Sequence, residues 1–490
     1  MKHINIFVAP GLIALIVITL GLCFPGWWFW YNDEFIYLSS GKCAQTWSDL
    51  LSFFIDGDTH HYTQSSPGTV FYRPINCIIA TLEYWFFDTQ AWWYHITNIM
   101  VHALNASLIF YACQAITSTL PSLCGALFFA FHPLIGYEFG RVDCLHIYLS
   151  TTCILTCYLL IRQWFTTQKT LYYACFCIIF AFSMLNRETT IIIPILLSLG
   201  FWISYRKPKI FITPWSLLGL FLAIRFYMLN TVAKHSANIW QTIIKHTAIW
   251  PTLILQTTYD FFGLSWLPGG FPVFRISILA ICIIGTFLCF QHSKHKLWLT
   301  LAAFAAYAML WPCFILGGYC MRYNYEALPF MIFFFAGCWK ALPNNVFKNT
   351  IGLVIWGYII FLITLCVYCF SLREHEFKRV HNRFERFITT LTKHKNRTFC
   401  FVHCPGRPFG NGVGKALNIF AGIQEKAVYH DEVSVVHAPY LINKGFVRVP
   451  YFFPASTKIK QAPLKLPHSV TQTDPLIVSW DFENASFFFL

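Results

Sequence analysis

From Ile6 to Cys23 the chain runs without a charged side chain, and apolar blocks of similar length recur down the sequence. About 18–25 residues is the helical length that crosses the hydrocarbon core of a bilayer. Backbone polar groups in that core must be satisfied within the segment, so such blocks fold as helices. They fall at about 6–24, 92–116, 120–137, 144–162, 171–186, 189–204, 211–229, 271–290, 297–316, 324–339 and 350–371. This predicts an all-α polytopic membrane protein of about eleven spans. Charged residues make up 11% of the chain, against roughly 25% in soluble proteins. They are too few to coat a water-exposed surface of this size. The first block has only Lys2 and His3 ahead of it and no small-residue cleavage pattern behind it, so it reads as a retained anchor.

Aromatic residues, 19% of the chain, gather at block ends, as in Trp27, Trp28, Trp30 and Tyr31 or Trp92, Trp93 and Tyr94. Interfacial aromatic belts form there, and the same rings suit ligand contact. Most of the 19 cysteines lie inside apolar blocks, where a thiol behaves as a small hydrophobe. No paired CxxC pattern for zinc occurs. The net charge of +14 sits in short loops and in the C-terminal stretch. In so apolar a chain this points to membrane lipids with anionic headgroups or to phosphate-bearing substrates as partners, and not to nucleic acid.

Lys2, Arg162 with Lys169, Arg206 with Lys207 and Lys209, Lys294 with Lys296, and Lys340 with Lys348 fall on one side of the predicted bundle. By the positive-inside rule that side is cytoplasmic. The opposite side receives the acidic 25–91 stretch, which does not span, and everything from 372 onward. It is the periplasmic face of a bacterial inner membrane, or the ER lumen in a eukaryote. A second non-spanning stretch, 230–270, has an apolar run from His246 to Phe262 suited to the interface. Residues 1–371 thus read as a transmembrane domain and 372–490 as a small α+β soluble domain. The latter holds a basic helix over about 373–395 and strand-like runs at Thr398–His403, Ala427–Val436, Gly445–Phe453 and Leu476–Trp480. The basic start of this tail runs against the charge rule, but long C-terminal domains cross regardless of charge. Gly410 to Lys415 misses the phosphate-loop spacing, with Phe409 and Ala416 at two required positions, and reads as an ordinary loop.

Charged side chains collect at the outer ends of the blocks. Asp33 and Glu34 follow the first block, and Arg73 closes the same outer stretch. Glu138, Arg141 and Asp143 follow the third, Arg187 and Glu188 separate the fifth and sixth, and Arg322 and Glu326 follow the ninth. Adjacent carboxylates at a membrane surface serve to deprotonate a hydroxyl, to coordinate a divalent cation, or simply to face water. Acids beside arginines also form structural ion pairs. Charge at membrane depth is costly, however, and marks function or internal pairing. The chemistry that suits this face is sugar transfer from a polyprenyl phosphate: guanidinium groups bind the phosphate, and a carboxylate takes the proton of the acceptor.

At these residues the sequence resembles the type-C glycosyltransferases, above all the membrane half of the transmembrane and tetratricopeptide-repeat O-mannosyltransferases and their bacterial relatives. The matching elements keep the family's order over roughly residues 1–340: Asp33-Glu34; Tyr72-Arg73-Pro74; Tyr94-His95 with Asn98 and His102; His132-Pro133 with Glu138; Gly140-Arg141 with Asp143; Arg187-Glu188; and Arg322-Tyr323 with Tyr325. The resemblance implies Asp33 as catalytic base with Glu34 assisting. It implies Arg141 on the donor phosphate with Arg73 and Arg322 as further candidates, and Glu138, Asp143, Arg187, Glu188 and His102 in support. It implies a single inverting displacement, with a divalent cation needed by some relatives and not by others. Two departures stand out. Asn186-Arg187 replaces the Ser-Lys common before the glutamate, and tetratricopeptide repeats are lacking, so the acceptor is not implied.

His95 and His102 share one helix face, where they either line a site or join helices. A transporter or flippase for an anionic or lipid-linked substrate is the alternative reading. Such proteins place binding residues on broken helices near the midplane and often carry repeats, whereas these charges sit at block ends and no repeat is evident.

Overall fold

A computed structural model describes residues 8–23, 32–56, 72–133, 141–196, 198, 212–230, 247, 250–262, 287, 290–291, 296–310, 323–341, 352, 355–368, 388–389, 391–393, 399–402, 420, 428–430, 476–481 and 486–489. The first part is helical: α1 Val8–Leu22, α2 Asn32–Cys43, α3 Trp47–Asp56, α4 Pro74–Phe87, α5 Ala91–Gln114, α6 Thr119–Ala130, α7 Leu145–Thr167 and α8 Thr170–Asn186. Further along come α9 Ile212–Asn230, α10 Trp250–Phe261, α11 Lys296–Ala308 and α12 Asn324–Ala341, then α13 Ile355–Tyr368. Two helical segments among the described residues are long and apolar enough to cross a membrane by themselves, Ala91–Gln114 and Val142–Thr167; α1, α6, α8, α9, α11 and α13 are apolar but shorter. Many large apolar side chains face outward, among them Leu15 and Ile16 on α1, Ile178 on α8, Phe226 on α9, Phe304 on α11 and Ile360 on α13. An apolar exterior on this scale fits a lipid environment and marks a membrane-associated chain.

The core is built on α5, which packs against α1, α6 and α7, while α8 packs on α7 and α12 on α11. Ala103, Ala106, Ala112 and Cys113 of α5 are buried, and their small side chains let the neighbouring backbones come close. Larger side chains fill the remaining space, including Phe110, Phe129, Phe176 and Phe180. A polar stripe runs along the same helix. Asn98 donates to the Arg141 carbonyl at 2.9 Å, and Asn105 donates to the Tyr148 carbonyl at 2.9 Å. His102 lies between them, bonded through Nδ1 to the Tyr325 hydroxyl at 2.7 Å and through Nε2 to the Ala130 carbonyl at 3.2 Å. His102 therefore ties three helices together, the packing role of the two read from its helix face.

The non-spanning 25–91 stretch contains α2, α3 and α4. Thr46 caps α3: its hydroxyl accepts the Asp49 N–H, while Asp49 accepts the N–H groups of Gln45 and Thr46 at 2.8 and 2.7 Å. This is a reciprocal capping box, and those backbone bonds lower the Asp49 carboxyl below its usual range. Leu50 and Phe53 turn inward, while Trp47, Leu51 and Ile55 form an exposed stripe one turn apart. An amphipathic helix of this kind suits the membrane interface. Helix α2 lies so close on α4 that a Cβ at Gly41 would meet the Ala80 carbonyl oxygen at 2.6 Å.

The C-terminal stretch holds β1 Phe399–Val402, β2 Val428–His430, β3 Leu476–Asp481 and β4 Ser486–Phe489 in one sheet of order β2-β1-β3-β4. β1 pairs in parallel with β2 and β3, and β4 returns antiparallel to β3. The first, second and fourth expected runs hold strands; the Gly445–Phe453 run and the Gly410–Lys415 loop lie outside the described residues, and β4 was not expected. Phe420 packs against a cluster of Tyr37, Leu38, Ala80, Tyr94 and Val142. Phe420 thus reaches the cluster that α2, α4, α5 and the turn beside Arg141 build together.

Candidate active site

Two charged centres occupy the helix ends to which the sequence reading assigned chemistry. The first joins α2 to the turn before α7. Helix α2 starts at Asn32, so Asp33 and Glu34 fall in its first turn, where carboxylates are favoured by the helix dipole. Glu34 is fully buried, and its Oε1 accepts the Val142 N–H at 2.7 Å. Arg141 is 2% exposed, and its Nε and Nη2 donate to the two Asp143 carboxylate oxygens at 2.9 and 2.7 Å. His146 Nδ1 lies 2.6 Å from the Asp143 carbonyl oxygen and extends the polar turn. The Asp33 side chain, Glu138 and Arg322 lie outside the described residues.

The second centre forms where α8 stops. Arg187 takes an extended backbone, φ −159 and ψ 134, and a 3-10 turn follows over Glu188–Ile191. The break turns both side chains away from a continuous helical register. Arg73, at the start of α4, donates through Nε and Nη2 to both Glu188 oxygens at 2.7 and 2.8 Å. Arg225 on α9 approaches the same carboxylate at 3.9 Å. Burial opposes charge on Glu188, but Arg73, aided by Arg225, more than offsets it and pulls the carboxyl down to about 2. Arg187, 1% exposed, lies 3.2 Å from Glu326 and rests over the Tyr323 ring at 4.7 Å. Thr189 donates to Glu326 at 3.0 Å and links the turn to α12.

Three groups were missed by the sequence reading. Arg225 is a lone cation within an apolar block, a signal in its own right. Asp260 on α10 is fully buried, accepting hydrogen bonds from Gln256 at 3.3 Å and Asn324 at 3.1 Å. Glu83 on α4 accepts the Tyr37 hydroxyl at 2.7 Å, and burial pushes its carboxyl up to about 8 against that bond. Among the described residues no three His, Cys, Asp or Glu side chains gather to hold a metal ion.

No protein-family model matches the sequence, and a search of curated proteins finds no match. The fold is similar to that in the crystal structure of the Archaeoglobus fulgidus oligosaccharyltransferase in its apo form, with a TM-score of 0.50 and 11% identity. The match covers 86% of this chain and 64% of that one, so the chain spans less than two thirds of that protein's length. At such identity the likeness is one of architecture alone: the chain shares the fold of that protein.

Proposed function

We propose that this chain is a multi-pass membrane glycosyltransferase, moving a sugar from a polyprenyl-phosphate donor to an acceptor hydroxyl at the extracytoplasmic face. The observation that carries the reading is the Glu34–Val142 bond, because it fastens the acidic start of α2 to the Arg141 turn. Asp33, one residue away, takes the hydroxyl proton as the acceptor oxygen attacks the anomeric carbon. The new C–O bond forms as the sugar–phosphate C–O bond breaks, with inversion. Polyprenyl phosphate leaves with the electron pair, and nearby guanidinium charge stabilises it. Glu34 orients the turn through its bond to Val142, and Asp143 holds Arg141 in place.

The archaeal neighbour is an oligosaccharyltransferase by name, and transfer of sugar by this chain is inferred from the shared fold together with these residues. Phe420 on the α2 cluster supports an extracytoplasmic C-terminal domain. Surface glycans compared among cells with the wild-type gene, without it, and with Asp33→Asn provide the test. A glycan lost in both altered strains supports the reading. Translocation of a lipid-linked sugar with no glycan change would instead support a carrier.

A further inference from the structure

Helix α4 packs against α2, α3, α5 and α8, and one buried polar bond ties it to α2: the Tyr37 hydroxyl donates to Glu83 Oε2 at 2.7 Å. Glu83 is 6% exposed, and its Oε1 has no hydrogen-bond partner among the described residues. A buried carboxyl with a single partner costs stability, so packing alone does not account for a glutamate here. What a directed bond adds is a fixed rotation of one helix on the other. Gly41, one turn after Tyr37, keeps the same interface tight, since a Cβ there would meet Ala80 and Tyr84. Tyr37 follows Asp33 and Glu34 within the one helix Asn32–Cys43, about 6 Å along its axis from Asp33. Glu34 holds the Val142 N–H, and Tyr37 shares a cluster with Val142 and Tyr94. The acidic turn is thus held from two sides, by the Arg141 turn and by Glu83.

We infer that Glu83 is a positioning residue for sugar transfer: its hydrogen bond with Tyr37 fixes the rotation of α2 on α4 and so keeps the acidic first turn of α2 beside the Arg141 turn. The inference rests on the transferase reading for the reaction, and it gives Glu83 no contact with substrate. It also makes transfer sensitive to pH. The titratable groups around Glu83 are Tyr37 on α2, Tyr94 on α5, and Tyr84 and Asp88 on its own helix and the turn after it. Lys42 lies in the last turn of α2, and His95 is buried on α5. Asp49 of α3 is engaged in its own cap, α8 has no charged residue, and Arg141 is held by Asp143. Burial lifts the Glu83 carboxyl to about 8 against the Tyr37 bond. It is therefore neutral and in place at lower pH and ionises as pH rises through that value. A buried carboxylate is then drawn towards water, and the packing of α2 on α4 loosens.

The test measures kcat and donor KM for the full-length protein in proteoliposomes between about pH 6 and about pH 10. Wild-type kcat should fall about tenfold on the alkaline side, with KM nearly constant. Glu83→Ala and Tyr37→Phe should lower kcat about tenfold already at neutral pH, again with little change in KM. Glu83→Gln keeps an acceptor for Tyr37 without an ionisable proton, so it should restore the neutral rate and abolish the alkaline fall. Wild-type kcat in both a folded Glu83→Ala protein and Tyr37→Phe would overturn the inference. Should Glu83→Ala fail to fold, Tyr37→Phe and Glu83→Gln decide, and a pH profile of Glu83→Gln identical to that of the wild type would overturn it. Should the wild type transfer no sugar, the transferase reading fails by itself, and hydrogen exchange over residues 32–43 decides the tie between the helices. Faster exchange there in Tyr37→Phe than in the wild type would support it, and equal exchange would overturn it.

Discussion

Glu34 and Val142 are joined across 108 positions of sequence by one buried hydrogen bond of 2.7 Å. That bond sets the distance between the acidic start of α2 and the Arg141–Asp143 turn. Glu34→Ala leaves the Val142 N–H buried without an acceptor, at a cost of about 1–3 kcal/mol. Glu34→Gln keeps an acceptor oxygen and should retain most of the stability. Thermal unfolding in detergent separates the two variants, and equal melting temperatures would show that the bond does not hold the turn.

Gly41 offers a purely steric test of the same placement. An added methyl would meet the Ala80 carbonyl oxygen and Tyr84 Cβ, each at 2.6 Å, whereas one at Gly11 would meet nothing within 4 Å. Gly41→Ala must push α2 away from α4 and strain the Glu34 bond. Transfer activity should fall about tenfold or more, a barrier increase of about 1.4 kcal/mol, while Gly11→Ala stays near the wild type.

The Arg73–Glu188 pair predicts an acid-side loss of stability. With its folded carboxyl near 2, Glu188 stabilises the protein fully above its unfolded value of 4.5, and that stability drains away as pH falls from there towards 2. Glu188→Gln should flatten this part of the pH–stability curve. It should also lower stability at neutral pH by about 3 kcal/mol, because Arg73 and Arg225 lose their counter-charge. Arg73→Gln combined with Glu188→Gln should cost less than the two single changes added together.

Glu83 predicts the opposite slope. Its folded carboxyl is raised to about 8, so the unfolded chain releases its proton first and stability falls as pH rises from 4.5 towards 8. Glu83→Gln keeps an acceptor for the Tyr37 hydroxyl and removes that penalty. It should stabilise the protein at pH near 8 by about 4 kcal/mol, with little change near pH 4; a loss of stability at pH 8 would show the carboxylate is charged and paired in the fold.

Much of this arrangement was legible in the sequence, for identifiable reasons. Apolar blocks located α1, α5, α6, α7 and α8, and the placement of Arg141, Arg187 and Glu188 at block ends put them at helix ends, whereas α2 and α4, where Glu34 and Arg73 sit, fall in a stretch read only as non-spanning. The pairings were not legible. Neighbours in sequence suggested Arg187 with Glu188, yet the helix break sends Glu188 to Arg73, 115 positions away, and Arg187 to Glu326. Arg225, Asp260 and Glu83 each carry a single charge among apolar residues, and their importance shows only when the helices bring a partner to them. The packing role of His102 depends on Tyr325, which lies 223 positions on.

Sugar transfer by purified protein in proteoliposomes tests the central claim most directly. A polyprenyl-phosphate-linked sugar is supplied with a hydroxyl acceptor, and transferred sugar and released polyprenyl phosphate are counted for the wild type and Asp33→Asn. One polyprenyl phosphate should appear for each sugar transferred, and Asp33→Asn should slow both by about 100-fold or more while leaving donor binding intact. Wild-type turnover by Asp33→Asn would contradict the account.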